Sequence, residues 1–176
     1  MKKVLFFFIL FSLILSGCKK PDTNGNTIPT LPDATQSGKN TFGCKVDGAI
    51  YTPQASKYVF GPNVPLGCDY NTNSGFVHLG TKRGDEETML GFSNKHIFST
   101  GSYSFSNTDS NSAGYIHKSE RYFSDSLPNG SLVITKIDTV LKIISGTFVY
   151  NATDPITQKT IHITEGRFDM KYPYPK

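Results

Sequence analysis

The sequence predicts an all-β protein, with an antiparallel β-sandwich as the expected architecture and a lipocalin-like open barrel as the alternative. Short segments of alternating apolar and polar residues follow one another from residue 41 onward. Clusters of Gly, Asn, Asp and Ser separate these segments, as turns do between strands. No long amphipathic helix is expected after the first 17 residues. We therefore expect about ten short strands.

The N-terminus has the pattern of a secretion signal. Lys2 and Lys3 precede a twelve-residue apolar run over residues 4–15, which is too short to span a bilayer comfortably. The run ends in Leu-Ser-Gly-Cys, which resembles the lipobox of bacterial lipoproteins. Residues 1–17 are thus predicted to be a lipoprotein signal peptide, and Cys18 is predicted to carry the lipid, palmitate included, that anchors the chain to a membrane.

The remaining chain divides into a tether and one domain. Residues 18–40 are rich in Pro, Gly, Asn and Thr and read as the lipidated cysteine followed by a flexible tether, whose part 31–40 could dock on the domain. Residues 41–176 are predicted to form a single β domain. The expected location is the outer membrane of the cell envelope, and the sequence leaves open whether the domain faces the periplasm or the outside.

The charge of the chain argues against a nucleic-acid partner. The formal charge is +4 for the whole sequence, and it falls to +2 when Lys2 and Lys3 are removed with the signal peptide. The sequence has no basic stripe and no nucleic-acid-binding motif, and an exported protein does not meet nucleic acid.

Individual strands can be located from the alternation. Asp47-Gly48 predicts a type I′ hairpin within the first strand pair. The three longest strands are expected at the C-terminal end, where they could form a meander. The other predicted strands are shorter. The strands after the first hairpin are expected at 66–70, 75–81, 86–93, 102–105, 114–123, 131–137, 141–151 and 160–172.

The last strand contains a break in parity. Ile163 is odd-numbered and Phe168 is even-numbered, yet both have the character of core residues. One inserted residue near Glu165 and Gly166 would keep both facing the core, so we predict a β-bulge there, with Gly166 permitting the unusual backbone. Glu165, Arg167 and Asp169 are expected to form an exposed charged face, with a lesser chance of a binding or ion-pair role.

Two cysteines remain after lipidation. Cys44 and Cys68 would lie in an oxidising compartment, so a disulfide between them is the expectation. It would close a loop of about 25 residues and contribute roughly 3 kcal/mol. Two buried free thiols are the first alternative. A metal or redox pair is the second, although no Cys-x-x-Cys occurs.

Two sequence blocks resemble one family. Residues 31–48 read LPDATQSGKNTFGCKVDG, and residues 144–148 and 163–169 read ISGTF and ITEGRFD. These blocks resemble an uncharacterised family of Bacteroidota lipoproteins, whose members open with Leu-Pro-x-Ala-Thr-x-x-Gly-x-Asn-Thr-Phe-Gly-Cys-x-Val-Asn-Gly. Asp47 departs from this pattern where Asn is common. The resemblance implies an envelope location and a β-rich fold, and it brings no catalytic or binding residues.

Catalytic and metal-binding patterns are sparse. The histidines His78, His96, His117 and His162 have no metal-ligand spacing, and no Gly-x-Ser-x-Gly elbow occurs. We therefore expect no cofactor, no metal and no enzymatic activity. The interpretation preferred is a non-catalytic binding or assembly module for an envelope protein or a ligand. The alternatives are a lipocalin-like carrier of an apolar ligand and a hydrolase with dispersed active-site residues.

Aromatic residues suggest where such a module would make contact. The chain has nine Tyr, and nine of its 13 Phe lie beyond the signal peptide. Tyr is favoured at interfaces because its ring is apolar and its hydroxyl is polar. Several of these residues lie beside Ser and Asn within residues 93–126, so a contact surface is expected there; packing along the rims of the sheets is the alternative.

Two turns carry candidate O-glycosylation sites. Ser126 and Thr139 each follow Asp and precede an apolar residue, a pattern seen in exported Bacteroidota proteins. The intact mass of the native protein tests them. A mass above that of the lipidated chain is expected if either site is modified, and a mass equal to that of the lipidated chain would exclude both.

Overall fold

The computed structural model describes residues 30–56, 64–105, 111–124 and 130–174. They form eleven strands and one 3-10 turn, Gly84–Glu86. None of the described residues forms a helix of the length and apolarity needed to cross a membrane. The strands are β1 Thr41–Val46, β2 Ala49–Tyr51, β3 Leu66–Asn71, β4 Phe76–Arg83, β5 Thr88–Asn94, β6 Gly101–Ser104, β7 Ser112–His117, β8 Glu120–Ser124, β9 Gly130–Asp138, β10 Ile143–Thr153 and β11 Thr160–Lys171.

The eleven strands belong to one antiparallel sheet that curls on itself. Its main path runs β2-β1-β11-β10-β8-β7-β5-β4-β3, and β9 and β6 branch from β10. The sheet closes on itself because Cys68 on β3 pairs with Tyr174, which follows β11, the N–H of each donating to the other's carbonyl at 2.8 Å. Beyond β2, the Gln54 N–H donates to the Lys82 carbonyl on β4 at 3.0 Å. The all-β class is confirmed, and the curled sheet fits the description of a sandwich or of an open barrel.

The predicted C-terminal meander is present. β9, β10 and β11 are consecutive antiparallel neighbours. β10 is the central strand because it pairs with β9 over residues 143–150 and with β8 at Ala152 and Thr153. One strand thus joins the two halves of the sheet.

The hairpins show what local sequence can and cannot specify. Asp47 and Gly48 have φ values of 46° and 84°, as the predicted type I′ turn requires. The predicted single strand over 114–123 is wrong, because Lys118 and Ser119 turn the chain between β7 and β8. Lys118 adopts a φ of 55° there, a conformation that its residue type does not signal.

The bulge predicted in the last strand is confirmed. On one side Gly43 pairs with Arg167 and Lys45 with Thr164, so Glu165 and Gly166 together face a single residue of β1. The backbone explanation is corrected: Glu165 has the positive φ, 51°. Gly166 is needed for a different reason, since a Cβ atom there would collide with the Phe148 ring.

Aromatic rings fill the core between the two halves of the sheet. The Phe92 ring lies 5.5 Å from those of Phe105 and Phe148 and 5.6 Å from that of Phe168. Phe42 stacks on Phe148 at 5.2 Å. All five side chains are buried, and ring pairs at these distances add to the stabilisation from apolar burial.

The charged face expected on β11 is partly wrong. Glu165 and Arg167 do form an exposed pair, and Glu165 also binds Lys45 at 2.5 Å. Asp169, in contrast, is only 1% exposed. Its side chain points out of the sheet and is covered by the segment 31–40, which packs on β1 and β11.

Five donors surround the Asp169 carboxylate. The hydroxyl of Thr35 donates at 2.6 Å and that of Ser145 at 2.7 Å. The backbone N–H groups of Ser37, Gly38 and Lys39 donate at 3.0, 2.7 and 3.2 Å. Burial raises the pKa of Asp169, but these donors outweigh it and lower the pKa from 3.8 to about 2.

Further contacts fix the same segment. Pro32 packs on Gly43, where a Cβ atom would lie 2.5 Å from the Pro32 ring. Gly38 has a φ of 71°, and the Asn40 side chain accepts the backbone N–H of Lys171 at 2.8 Å. Residues 31–40 therefore belong to the folded body, as the alternative of a docked segment predicted.

Asp169→Asn is expected to lower the free energy of unfolding by about 2 kcal/mol at pH 7, because it weakens all five hydrogen bonds. A carboxylate with a lowered pKa stabilises the fold above its unfolded pKa. In the wild type this contribution should therefore disappear as the pH falls from 3.8 to about 2. Urea unfolding at several pH values measures both effects. The control is Asp33→Asn, which removes the same charge from an exposed position of the segment; equal losses in both variants would contradict the assignment.

Candidate functional site: a groove on the outer sheet face

The aromatic residues predicted to form a contact surface are divided between core and surface. Phe105 and Tyr122 are core residues, 0% and 2% exposed. The Tyr103 hydroxyl donates to the Ser99 carbonyl at 2.8 Å. Phe123 is 41% exposed and Phe98 is 57% exposed. The tyrosine-rich surface is thus largely sheet packing, and two phenylalanines remain available to a partner.

Four glycines lie side by side across the strands on the outer face. Gly67 pairs with Gly80, Gly80 with Gly91, and Gly91 with Gly114. Gly114 in turn pairs with Phe123 on β8. Because glycine has no side chain, the backbone at Gly80, Gly91 and Gly114 forms the floor of a groove of about 370 Å³.

One wall of the groove is apolar with cationic ends. The next row of side chains is Lys82, Met89, Ile116 and Arg121, one from each of β4, β5, β7 and β8. Met89 is 54% exposed. Adjacent strands are about 4.8 Å apart, so this row is roughly 15 Å long.

Beyond the glycine row and outside the groove, the next row of side chains on the outer face is polar. His78 and Ser93 are paired residues of β4 and β5, and His78 Nδ1 lies 2.9 Å from Ser93 Oγ. Asp69 and Ser112 extend the row on either side. The residues that line the groove are glycines, Thr81, Lys82 and apolar side chains, so a ligand there would meet a mainly apolar surface.

The floor glycines differ in how much space surrounds them. A Cβ atom at Gly91 would lie 2.6 Å from the Leu79 carbonyl oxygen, so only glycine fits. At Gly80 it would meet only His78 Nε2, at 3.5 Å, which is an ordinary contact. Gly80 can therefore accept a side chain that would fill the groove without straining the sheet.

The sequence analysis did not find this groove. An isolated glycine within a strand is a weak signal of close approach or of a bulge. The alignment of four such glycines depends on the pairing register of β3, β4, β5 and β7. Only the folded sheet provides that register.

The histidines lie apart from one another. The Nδ1 atoms of His117 and His162 lie 2.8 Å from the side chains of Thr88 and Asn151, and His96 is exposed in a loop. Among the described residues, no group of three His, Cys, Asp or Glu side chains is placed to hold a metal ion.

The predicted disulfide between Cys44 and Cys68 is wrong. Cys44 and Cys68 are both free, and both are fully buried in the core. Cys44 lies on β1, which pairs with β2 and β11, whereas Cys68 lies on β3, which pairs with β4 and Tyr174. An even number of cysteines in the expected oxidising compartment predicted a pair, but the topology places Cys44 and Cys68 on strands that are not neighbours. Burial raises the pKa of each thiol to about 12.

The remaining predicted sites are only partly covered by the structure. Cys18 and Ser126 lie outside the described residues. Thr139 is exposed in the turn between β9 and β10. The turn is closed by Asp138, whose carboxylate accepts the backbone N–H of the second and third residues after it.

These features describe an all-β domain with a surface groove and a buried, fully hydrogen-bonded carboxylate. A family model, the domain of unknown function DUF6252, matches residues 40–170. The chain belongs to this family. No curated protein and no solved structure matches this chain.

The free thiols predict a clear alkylation result. In the folded protein, Cys44 and Cys68 should resist iodoacetamide because they are buried and protonated. After unfolding in urea without reductant, both should react, adding two alkyl groups in the mass spectrum. Alkylation that occurs only after reductant is added would show that the two sulfurs form a disulfide.

Proposed function

We propose that the protein is a lipid-anchored lipoprotein of the outer membrane whose domain is a non-catalytic binding or assembly module. We infer further that its partner, an envelope component, occupies the groove floored by Gly80, Gly91 and Gly114. The signal-like N-terminus and Cys18 support the anchor. The resemblance of residues 31–48 to the Bacteroidota pattern supports an origin of the protein in that phylum. Acyl chains on Cys18 would appear in the same intact-mass measurement as any glycan.

The groove supports the binding role through its exposed apolar wall. Met89 and Phe123 are 54% and 41% exposed on strands where an outward side chain is otherwise polar, basic or absent. Exposed apolar residues grouped around a concavity are typical of binding sites rather than of a free surface. This grouping is the observation on which the proposal rests.

The chemistry of the walls indicates the kind of partner. Lys82 and Arg121 at the ends of the apolar wall have no ion-pair partner among the described residues. An apolar wall about 15 Å long beside an open floor suits an extended chain better than a compact molecule. An extended segment with apolar groups and terminal negative charge would match this wall.

The carrier and hydrolase interpretations gain no comparable support from the described residues. A carrier needs an apolar cavity, whereas the central rings here lie 5.2–5.6 Å apart. A hydrolase needs converging polar groups, whereas the buried carboxylate of Asp169 is saturated by structural donors. The binding role is therefore the one we put forward.

Site-specific photocrosslinking in native cells tests the groove. A photoreactive residue at Met89 should capture one envelope component of defined mass. The same residue at Val149, which is 42% exposed on the outer face of β10, should not capture it. Gly80→Gln should abolish the Met89 product because the new side chain fills the groove, while the urea midpoint changes little.

The outcomes separate clearly. A product at Met89 that Gly80→Gln removes, and that Val149 does not give, supports the groove. The same product from Met89 and Val149, or a product unaffected by Gly80→Gln, would reject it. If neither position gives a product, the groove has no partner in these cells and the proposal fails.

A further inference from the structure

One end of the curled sheet exposes three large apolar side chains. Val140 is 88% exposed, Leu141 60% and Phe98 57%. Val140 and Leu141 form the turn between β9 and β10, and Phe98 follows β5. We call these three residues the end patch. Their exposure exceeds that of every other large apolar side chain among the described residues except Ile156.

Contacts place the three residues at the same end. Phe98 packs against the β3–β4 turn, since a Cβ atom at Gly75 would lie 2.9 Å from the Phe98 ring. The β3–β4 turn adjoins the β9–β10 turn, because Thr72 and Thr139 line one groove of about 470 Å³. Ile156 is at the other end, beyond the last residue of β10, about 35 Å along the strand.

The end patch has a basic surround. Lys142 and Lys171 are exposed and line a groove of about 550 Å³ together with Val140 and Leu141. Lys39 is exposed beside them, on the segment that covers Asp169.

The acid nearest the patch is neutralised by contacts of its own. The Asp138 carboxylate lies 3.8 Å from Lys136 Nζ and also accepts the N–H groups of Val140 and Leu141. This end therefore presents apolar side chains with net positive charge around them.

The anchor position is compatible with this end meeting the membrane. The described chain begins at Thr30, and Pro32 packs on Gly43, two residues after the start of β1. Thr41 pairs with Asp169 near the end of β11, so β1 begins at the same end as the patch. From Cys18 to Thr30 the chain can span at most about 40 Å, which is enough for the patch to reach the surface in which Cys18 would be anchored.

We propose that the end patch seats on an anionic bilayer, with Phe98, Val140 and Leu141 in the headgroup region and the lysines against lipid phosphates. This inference rests on the lipid anchor proposed above. Apolar side chains at loop tips within a basic ring combine the two forces that hold proteins at membrane surfaces. A glycan on Thr139 would hold the turn away from the lipid, so contact of the end patch with the bilayer requires an unmodified Thr139.

The absence of tryptophan from the sequence allows a direct test. Leu141→Trp places a single fluorophore in the patch, and Ile156→Trp, at a 90% exposed position, is the matched control at the far end. Both variants are prepared as the lipidated full-length mature chain in vesicles of phosphatidylethanolamine with about 30% phosphatidylglycerol. Brominated acyl chains in these vesicles quench tryptophan that enters the lipid.

We expect blue-shifted, quenched emission for Leu141→Trp and neither effect for Ile156→Trp. In the Leu141→Trp background, Lys142→Gln should lower the ratio of seated to unseated protein about fivefold, whereas Lys118→Gln at the opposite end should not change it. Three results would each reject the contact between the end patch and the bilayer: unquenched emission from Leu141→Trp, equal quenching in both reporters, or a glycan found on Thr139.

The anchor is tested separately. Flotation of the protein with the vesicles reports the acyl chains on Cys18 and does not depend on the patch. Flotation without quenching would support the anchor and reject the contact of the end patch with the bilayer. Failure to float, with no acyl mass on Cys18, would reject the anchor itself. The proposed contact of the end patch with the bilayer depends on the anchor and would be rejected as well.

Discussion

The carboxylate of Asp169 is the interaction on which the rest of the domain depends. It binds the segment before β1 through Thr35 and three backbone N–H groups, and it binds β10 through Ser145. A buried charge is costly unless it is fully hydrogen-bonded, and here five donors meet that requirement. One side chain thus joins the N-terminal segment, β10 and β11.

The residues that carry the family resemblance are explained by this arrangement. Pro32, Thr35, Gly38 and Asn40 from the first block and Ser145 from the second converge around β11. Their contacts are those of a fold and include no group free to react. These residues therefore hold the domain together, and the surfaces that could meet other molecules lie elsewhere.

The sequence predicts features that depend on neighbouring residues and misses those that depend on distant ones. The Asp47-Gly48 turn and the bulge at Glu165 follow from local residue types and from the period of a strand. The β7–β8 turn was missed because Lys118 and Ser119 carry no turn signal. The disulfide prediction was wrong because the number of cysteines and the expected compartment do not show which strands are neighbours in the sheet.

Burial of Asp169 and the alignment of the groove glycines were likewise beyond sequence reasoning. Asp169 lies at an outward-facing position of β11, where a charge is ordinarily solvated, and only the segment 31–40 changes that. The glycine row requires the register of β3, β4, β5 and β7, which residue patterns within one strand do not provide. Both features are products of long-range pairing.

Pairing of the first strand with the last has a consequence for assembly. β1 and β11 are neighbours although more than 100 residues separate them, with Gly43 opposite Arg167. Such a topology has a high contact order, and its nucleus must wait for distant chain segments to meet. A chain that emerges N-terminus first cannot complete this sheet until β11 is available. Until then, the side of β1 that faces away from β2 has no strand to pair with.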